Sequence, residues 1–600
     1  MRLPYLRGSV TGVVVQDVRT HQVLYSNNAY TRLIPASNRK LFTATSALRV
    51  LGENYRIHTT VLGDAQLSGD TLKGNLYLRG GGDPLLTADD IKTLVSQLTD
   101  AGLKHVTGDI VGDATLFTDG PYPAGWSWDY LADDYAPQIS SLEVEQDLTS
   151  VAIAPGKQIG DKPAISLSPA TGYIPIVDEA KTGASDSDLT LSVTRPFNRG
   201  EIVVTGNVPL GYKQAKPIAI TVDNPALYAT TLLAEGLMAA GVTIDGSVRL
   251  GVTAHSAATL VDHASAPLKD YLPQMLKPSN NLIAETLVRL IGVERGTGGN
   301  YKSGYAVERG VFDKIGISPD QYSFSDGSGV TRLDLVSANA VVTLLNSVAM
   351  DRNFRLFYDA LPIAGVDGTL AKRMKGTAAE GNAHAKTGTV RYAHALSGYV
   401  SDADANIVAF SILNNNFQVD SGVINKFQDA LVDRLAREHG VGIISVKPVV
   451  KPAPIKWHNI VIIRRAPVAK TAPPAPVHHP NAVPAKAPAV SPAKLAKPSG
   501  QLSSPATVPS APATDSTSAP AAAPPPTIAT PTEEPAPKSV QDLPKQSVKS
   551  HIETLGDRPI AFTTEAPKAS AAAVSTPKKT APLAPPVLAI PASMKPGAAN

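Results

Sequence analysis

The feature that most limits what this chain can fold into is a break in its character near residue 445. Before it, apolar runs alternate with Gly, Asn and Asp turns, with length enough for a large buried core. From Val446 to Asn600, Pro, Ala, Lys, Ser and Thr dominate and hydrophobic periodicity disappears. Such a segment cannot bury enough apolar surface to offset its ordering entropy. Its Ala-Pro and Lys-Pro pairs favour extended, polyproline-like conformations, so 446–600 is expected to be a disordered spacer. The alternative is that its lysines hold the protein near an anionic wall or membrane.

The net charge of +3, with Lys and Arg spread along the chain, marks no nucleic-acid surface. Cysteine is absent, which excludes disulfides, thiolate catalysis and cysteine-ligated metal. No apolar run reaches the roughly 18 residues of a membrane span. The opening MRLPYLRGSVTGVVVQDV has no stretch suited to a signal peptide. A substrate outside the cytoplasm would therefore require an export signal that this sequence does not carry.

The alternation in GSVTGVVVQDV, a turn at RTHQ and the run QVLYSN predict an opening hairpin. In PASNRKLFTATSALRVLGE, Leu41, Ala44, Leu48 and Leu51 recur at three and four and Gly52 marks a stop, which predicts a buried helix beginning near Ser37. From 55 to 254 many short strands and two helices, near 88–102 and 224–241, form a strand-rich insertion. From 255 to 445 longer helices return, then the strands HAKTGTV, ALSGYV and NIVAFSIL, and a helix with Val423, Phe427, Leu431 and Leu435 on one face. The expected fold is α/β, with residues 1–54 and 255–445 together making a sheet flanked by helices.

Three short patterns carry chemistry. Ser37-Asn38-Arg39-Lys40 places a serine and a lysine three apart at a helix start, hence on one face. A serine hydroxyl needs a base to become a nucleophile, and a lysine serves if burial or nearby positive charge lowers its pKa. Ser279-Asn280-Asn281 stands just before another helix, where an ordinary N-cap is the plain alternative. Functionally, Ser279 would pass a proton to a leaving amine and Asn281 would hold a substrate amide. Lys386-Thr387-Gly388 lies on a strand, along whose edge an extended peptide could bind. There Lys386 and Thr387 would meet a terminal carboxylate, and Gly388 would allow close approach.

Each pattern has decoys: Ser491-Pro492-Ala493-Lys494 in the tail, Ser26-Asn27-Asn28 in the hairpin, and Lys181-Thr182-Gly183 in the insertion, the last expected to run into polar ASDSDL without a strand. Joint order and context separate the true set. The set is that of penicillin-binding proteins and serine β-lactamases.

With PASNRK, LRGGGDP (78–84), GWSWDYLADDYAP (125–137), SDGSGVTR (325–332) and the long insertion, the chain resembles, over about residues 8–440, the D-alanyl-D-alanine carboxypeptidase/endopeptidase family typified by penicillin-binding protein 4. The resemblance implies a serine β-lactamase/transpeptidase-like domain and an acyl-enzyme on Ser37. It gives Lys40 the role of proton acceptor, and has Ser279 with Lys386 assist deacylation and leaving-group protonation. An oxyanion hole would come from the N–H groups of Ser37 and Thr389, with no cofactor and no metal. Peptidoglycan peptides would be substrates, β-lactams covalent inhibitors, and the periplasm or another extracytoplasmic space the location.

The family also binds the stem peptide's diamino acid with an acidic residue and an aromatic. Tyr135 falls at the aromatic position, but Tyr130 stands at the acidic one, with Asp129 just before it. Trp126 and Trp128 read as packing residues, Asp326 and Arg332 as parts of a structural turn, and Asp83-Pro84 as a turn. The histidines form no metal-ligand spacing. The rival readings are a serine β-lactamase, which the long insertion argues against, and an inactive wall-binding scaffold, which the intact motifs argue against.

Overall fold

Alternating apolar residues near both ends of the first 440 residues bring those ends into one sheet. The computed structural model describes residues 7–197 and 199–439, so the spacer expected over 446–600 lies outside the described residues. The sheet has five antiparallel strands in the spatial order Val23–Asn27, Val10–Asp17, Ile407–Asn415, Ala393–Ser401, His384–Val390. Val10–Asp17 pairs along its whole length, from Val10 opposite Asn415 to Asp17 opposite Val408.

Successive strand residues face opposite sides. Val14, Ala395, Tyr399, Ala409 and Leu413 therefore join a helical core with Leu41, Phe42 and Leu287. Val13, Val15, Leu396, Val400, Phe410 and Ile412 meet Val432 and Leu435 of the last helix, Ser421–Arg437. That helix is rotated by about a residue from the expected face, burying Ile424, Gln428, Val432 and Leu435, with Val423, Phe427 and Leu431 half-buried. The reason is polar: Gln428 Nε2 donates to Asn414 Oδ1 at 3.0 Å inside the interface.

Between the two parts of this sheet lies a second five-stranded sheet, in the order Val248–Leu250, Ile110–Asp113, Leu76–Arg79, His58–Gly63, Ala258–Ala264. Helices Ala88–Asp100 and Pro225–Ala239 share its core around Val61, Leu78, Leu94, Ile110 and Leu233. The first of them opens with a capping box between Thr87 and Asp90. Lys181–Gly183, expected to lack a strand, is one, pairing in parallel with Asn207–Pro209. Thr182 is buried and its hydroxyl accepts from Gly156 N at 2.7 Å, so local pairing overrides the polar residues that follow. Among the described residues no helix is long and apolar enough to cross a membrane.

Candidate active site

Ser37 sits in the 3-10 turn Ala36–Asn38, which runs directly into the helix Arg39–Val50. Leu41, Phe42, Ala44 and Leu48 bury that helix in the main core, and Gly52 ends it at φ +87°. Ala36, just before the serine, is held at φ +46°, a left-handed conformation uncommon outside glycine. Two glycines clamp the turn. A Cβ on Gly329 would lie 1.9 Å from the Ala36 carbonyl oxygen, and one on Gly388 would lie 2.5 Å from the Pro35 oxygen and 3.0 Å from Ser37 N. The close approach foreseen for Gly388 is thus to the chain's own backbone: its bare Cα lets the edge strand His384–Val390 lie against the Ser37 turn. Asn38 ties the same two elements by donating from Nδ2 to the Lys386 carbonyl at 2.9 Å.

Lys40, one helical turn on, is fully buried, and its Nζ donates to Ser37 Oγ at 3.0 Å, Asn281 Oδ1 at 2.6 Å and the Ser328 carbonyl at 2.9 Å. Burial pulls its pKa down to about 7, with Arg39 adding to the fall and Asp326 and Glu285 opposing it. A substantial fraction is therefore neutral at neutral pH, as a base for Ser37 requires. Arg39 points the other way, to Glu308 at 2.6 Å, the Asp326 carbonyl at 2.9 Å and the face of Phe324 at 4.1 Å.

The second pattern divides its labour. Asn280, not Ser279, caps the helix Asn281–Arg295, accepting from Ile283 N at 3.0 Å. Ser279 is freed from capping and held at φ +70°, with its Oγ accepting from Lys386 Nζ at 2.9 Å. Asn281 spends its amide on both sides, accepting from Lys40 and donating to the Tyr135 carbonyl at 2.6 Å.

Lys386 is completely buried, with its other contact to the Thr387 carbonyl at 2.9 Å. Burial, then the charge of Lys40, holds its pKa well below the usual lysine range. Its Nζ is thus turned to Ser279, while the neighbouring Thr387 is half-buried and donates to Thr369 Oγ1 at 2.7 Å. Thr369 carried no signal of its own in the sequence.

A cavity of about 380 Å³ opens at Ser37, lined also by Ser279, Asn281, Tyr130, Tyr135, Thr389 and Arg391. Asp129 is exposed on the turn Trp128–Tyr130 and is not among its lining residues; Tyr130 and Tyr135 stand there instead, their rings 5.9 Å apart. Burial, then a hydrogen bond with Asp133, pushes the Tyr135 phenol above its usual range.

Trp126 packs as expected, with Leu131, Ile139, Leu282 and Val330, and donates to Asp326 Oδ2 at 3.0 Å. Trp128 does not: it is 73% exposed, because the short turn it opens carries it away from that cluster. Asp326 is structural, accepting from Ser328 N, Gly329 N and Thr331 N at 3.1, 2.6 and 2.8 Å. Arg332 is exposed and donates to the Arg391 carbonyl. Asp83-Pro84 opens a turn as expected, with Leu85 N donating to Asp83 Oδ1 at 3.0 Å; Asp83 is also buried, and its Oδ1 accepts from the Tyr271 hydroxyl at 2.5 Å.

A serine hydrogen-bonded to a helix-borne lysine, facing a serine–asparagine pair and an edge strand, is the arrangement of the penicillin-binding class of serine peptidases. The comparison with known proteins narrows this: residues 1–438 match the D-Ala-D-Ala carboxypeptidase 3 (S13) family, and the chain belongs to that family. It is 38% identical over 453 residues to the D-alanyl-D-alanine carboxypeptidase of Actinomadura sp. (strain R39), covering 73% of this chain and 83% of that protein. It is 27% identical to the D-alanyl-D-alanine carboxypeptidase DacB of Haemophilus influenzae, over 68% of this chain and 86% of that one. The crystal structure of penicillin binding protein 4 (dacB) from Haemophilus influenzae superposes with a TM-score of 0.64 at 25% identity, covering 72% of this chain and 97% of its own. The same Haemophilus protein has also been solved in complex with a β-lactam.

Proposed function

We propose that this chain hydrolyses D-alanyl peptide bonds of peptidoglycan through an acyl-enzyme on Ser37, removing terminal D-alanine and opening crosslinks, and that β-lactams acylate the same serine. The observation that carries the reading is the hydrogen-bonded set around one cavity: Lys40 Nζ to Ser37 Oγ at 3.0 Å, and Lys386 Nζ to Ser279 Oγ at 2.9 Å. Neutral Lys40 takes the Ser37 proton as Oγ bonds to the D-alanyl carbonyl carbon. The carbonyl oxygen becomes an oxyanion facing the N–H groups of Ser37 and Thr389, each such donor supplying about 3 to 4 kcal/mol of transition-state stabilisation. As the C–N bond breaks, Ser279 gives the amine its proton and recovers the proton that Lys40 took from Ser37, with Lys386 on its Oγ as the relay, so that both lysines end as they began. Water then hydrolyses the ester by the reverse proton path.

Three features support the substrate. His384–Val390 is the outermost strand of its sheet, so an extended peptide can add alongside it. Thr387 and Thr369 offer paired hydroxyls for the terminal carboxylate. A second hollow of about 330 Å³, reaching Asp134 and Gln146, shares Ser279 and Asn281 with the first, which leaves room for a leaving strand larger than one alanine. Peptidoglycan lies outside the cytoplasm, and the enzyme would act there.

Incubation with crosslinked and uncrosslinked muropeptides, followed by mass analysis, tests the assignment. Loss of one alanine mass and splitting of dimers are both expected; intact dimers would remove the endopeptidase half. Rapid turnover of penicillin in place of a lasting stoichiometric adduct would instead mark a β-lactamase.

A further inference from the structure

Behind Lys40 lies a buried carboxylate that the reaction described so far does not use. Glu285 stands one turn after Asn281 on the helix Asn281–Arg295, so the two project from one face. It is fully buried, and its Oε2 accepts from Gly327 N at 2.8 Å and from the Tyr301 hydroxyl at 2.7 Å. Its Oε1 is buried without a donor in good bonding geometry, and the Ser328 side chain is a nearby hydroxyl that favours the charged carboxylate. Gly327 immediately precedes Ser328, whose carbonyl is one of the three acceptors of Lys40 Nζ.

We propose that Glu285 is a positioning residue of the acylation step: through Gly327 it fixes the Ser328 carbonyl against Lys40, and by holding or releasing a proton it sets whether Lys40 is a base. The proposal rests on the reading of Lys40 as the proton acceptor.

A buried ammonium and a buried carboxylate that face each other can both become neutral by moving one proton from the first to the second, and low polarity favours that. The Ser328 hydroxyl, the Gly327 N–H and the Tyr301 hydroxyl oppose that by favouring the charged carboxylate, so the proton is finely balanced between the two groups. Burial, then the carboxylate of Asp326, pushes Glu285 up to about 7, where Lys40 also titrates. The other charged or titratable groups around the pair are Arg39 and Lys386 near Lys40, Tyr301, Tyr305 and Asp334 near Glu285 and Asp326, Glu308 paired to Arg39, and the buried Arg289, one turn after Glu285 and 4.5 Å from the Tyr301 ring. Asp326 acts more strongly on Lys40 and accepts from Ser328 N and Gly329 N, but both of its oxygens are occupied by donors; Glu285 accepts from Gly327 N, faces Lys40 with its charge and keeps one oxygen without a bonded donor.

The test is the pH dependence of acylation of the full chain by a fluorescent penicillin, followed as a second-order rate from pH 5 to 9. Removing the negative charge in Glu285→Gln lowers the pKa of Lys40, so the acid limb is expected to move down by about half a unit or more. Tyr301→Phe keeps the carboxylate but removes a donor to its charged form, and is expected to move the limb the same way by less. This milder variant decides the matter where Glu285→Gln does not fold. Glu285→Asp, which restores the charge, should return the limb toward the wild-type position. A lowered plateau with the limb unmoved in Glu285→Gln, or in Tyr301→Phe where that is the folded variant, would make Glu285 a purely structural residue and overturn the proposal. Lys40→Met separates the two readings. If it acylates at the wild-type rate, the base assignment falls and this proposal with it; if it is inert while the limb stays in place in the glutamate variants, only the present proposal falls.

Discussion

Gly388→Ala is the sharpest probe of how the edge strand serves the nucleophile. The added methyl would stand 2.5 Å from the Pro35 carbonyl oxygen and 3.0 Å from Ser37 N, both backbone atoms that no rotamer change can move. Ordinary carbon contacts need about 3.5 Å, so the strand and the Ser37 turn must part by about 1 Å. That gap falls between Ser37 and Thr389, whose N–H groups are assigned to the oxyanion. A misplacement of about 1 Å, or loss of one oxyanion donor, costs about 100- to 1000-fold in rate. Overpacking also lowers stability by about 1 to 3 kcal/mol, leaving a fold of this size intact. The assay is the second-order rate of labelling by a fluorescent penicillin, beside a thermal melt confirming a cooperative fold. Labelling within about threefold of wild type by a folded variant would show that the N–H pair does not depend on this contact.

Acylation is expected to fall about tenfold per pH unit below an acid limb near pH 7, because protonated Lys40 cannot accept the Ser37 proton; a rate flat down to pH 5 would contradict this. Lys386→Met should abolish turnover yet raise Tm by about 2 °C or more at neutral pH. The sign follows from its depressed pKa: the folded state binds fewer protons than the unfolded one, so the wild-type lysine opposes folding increasingly as pH falls below the ordinary lysine value. A lower Tm would show the lysine to be a net stabiliser. Arg39→Ala strands Glu308 without its fully buried partner and should cost about 3 to 5 kcal/mol in urea unfolding. A loss below about 1 kcal/mol would mean the pair is solvated.

Much of the site was legible because chain order and local patterning encode it. The helix after Ser37 shows in the spacing of Leu41, Ala44 and Leu48, and the edge strand shows in HAKTGTV. The pairing of Val10–Asp17 with Ile407–Asn415 is a long-range contact, yet the apolar runs at both ends already implied one sheet. What stayed hidden depended on partners distant in sequence. Asn280 takes the capping role because Ser279 is turned to Lys386, which no local rule reveals. Lys181–Gly183 becomes a strand only through Asn207–Pro209. Trp128 looks like core by residue type, but its turn directs it outward. Glu285 reads as an ordinary polar residue in a helix until the Gly327 segment folds onto it.

In the proposed reaction Ser37 carries the acyl group. Intact-mass analysis after penicillin treatment, with peptide mapping of wild type and Ser37→Ala, locates that group. One adduct per chain is expected, located on the peptide containing Ser37 and absent from the alanine variant. An adduct on another residue, or equal labelling of Ser37→Ala, would contradict it.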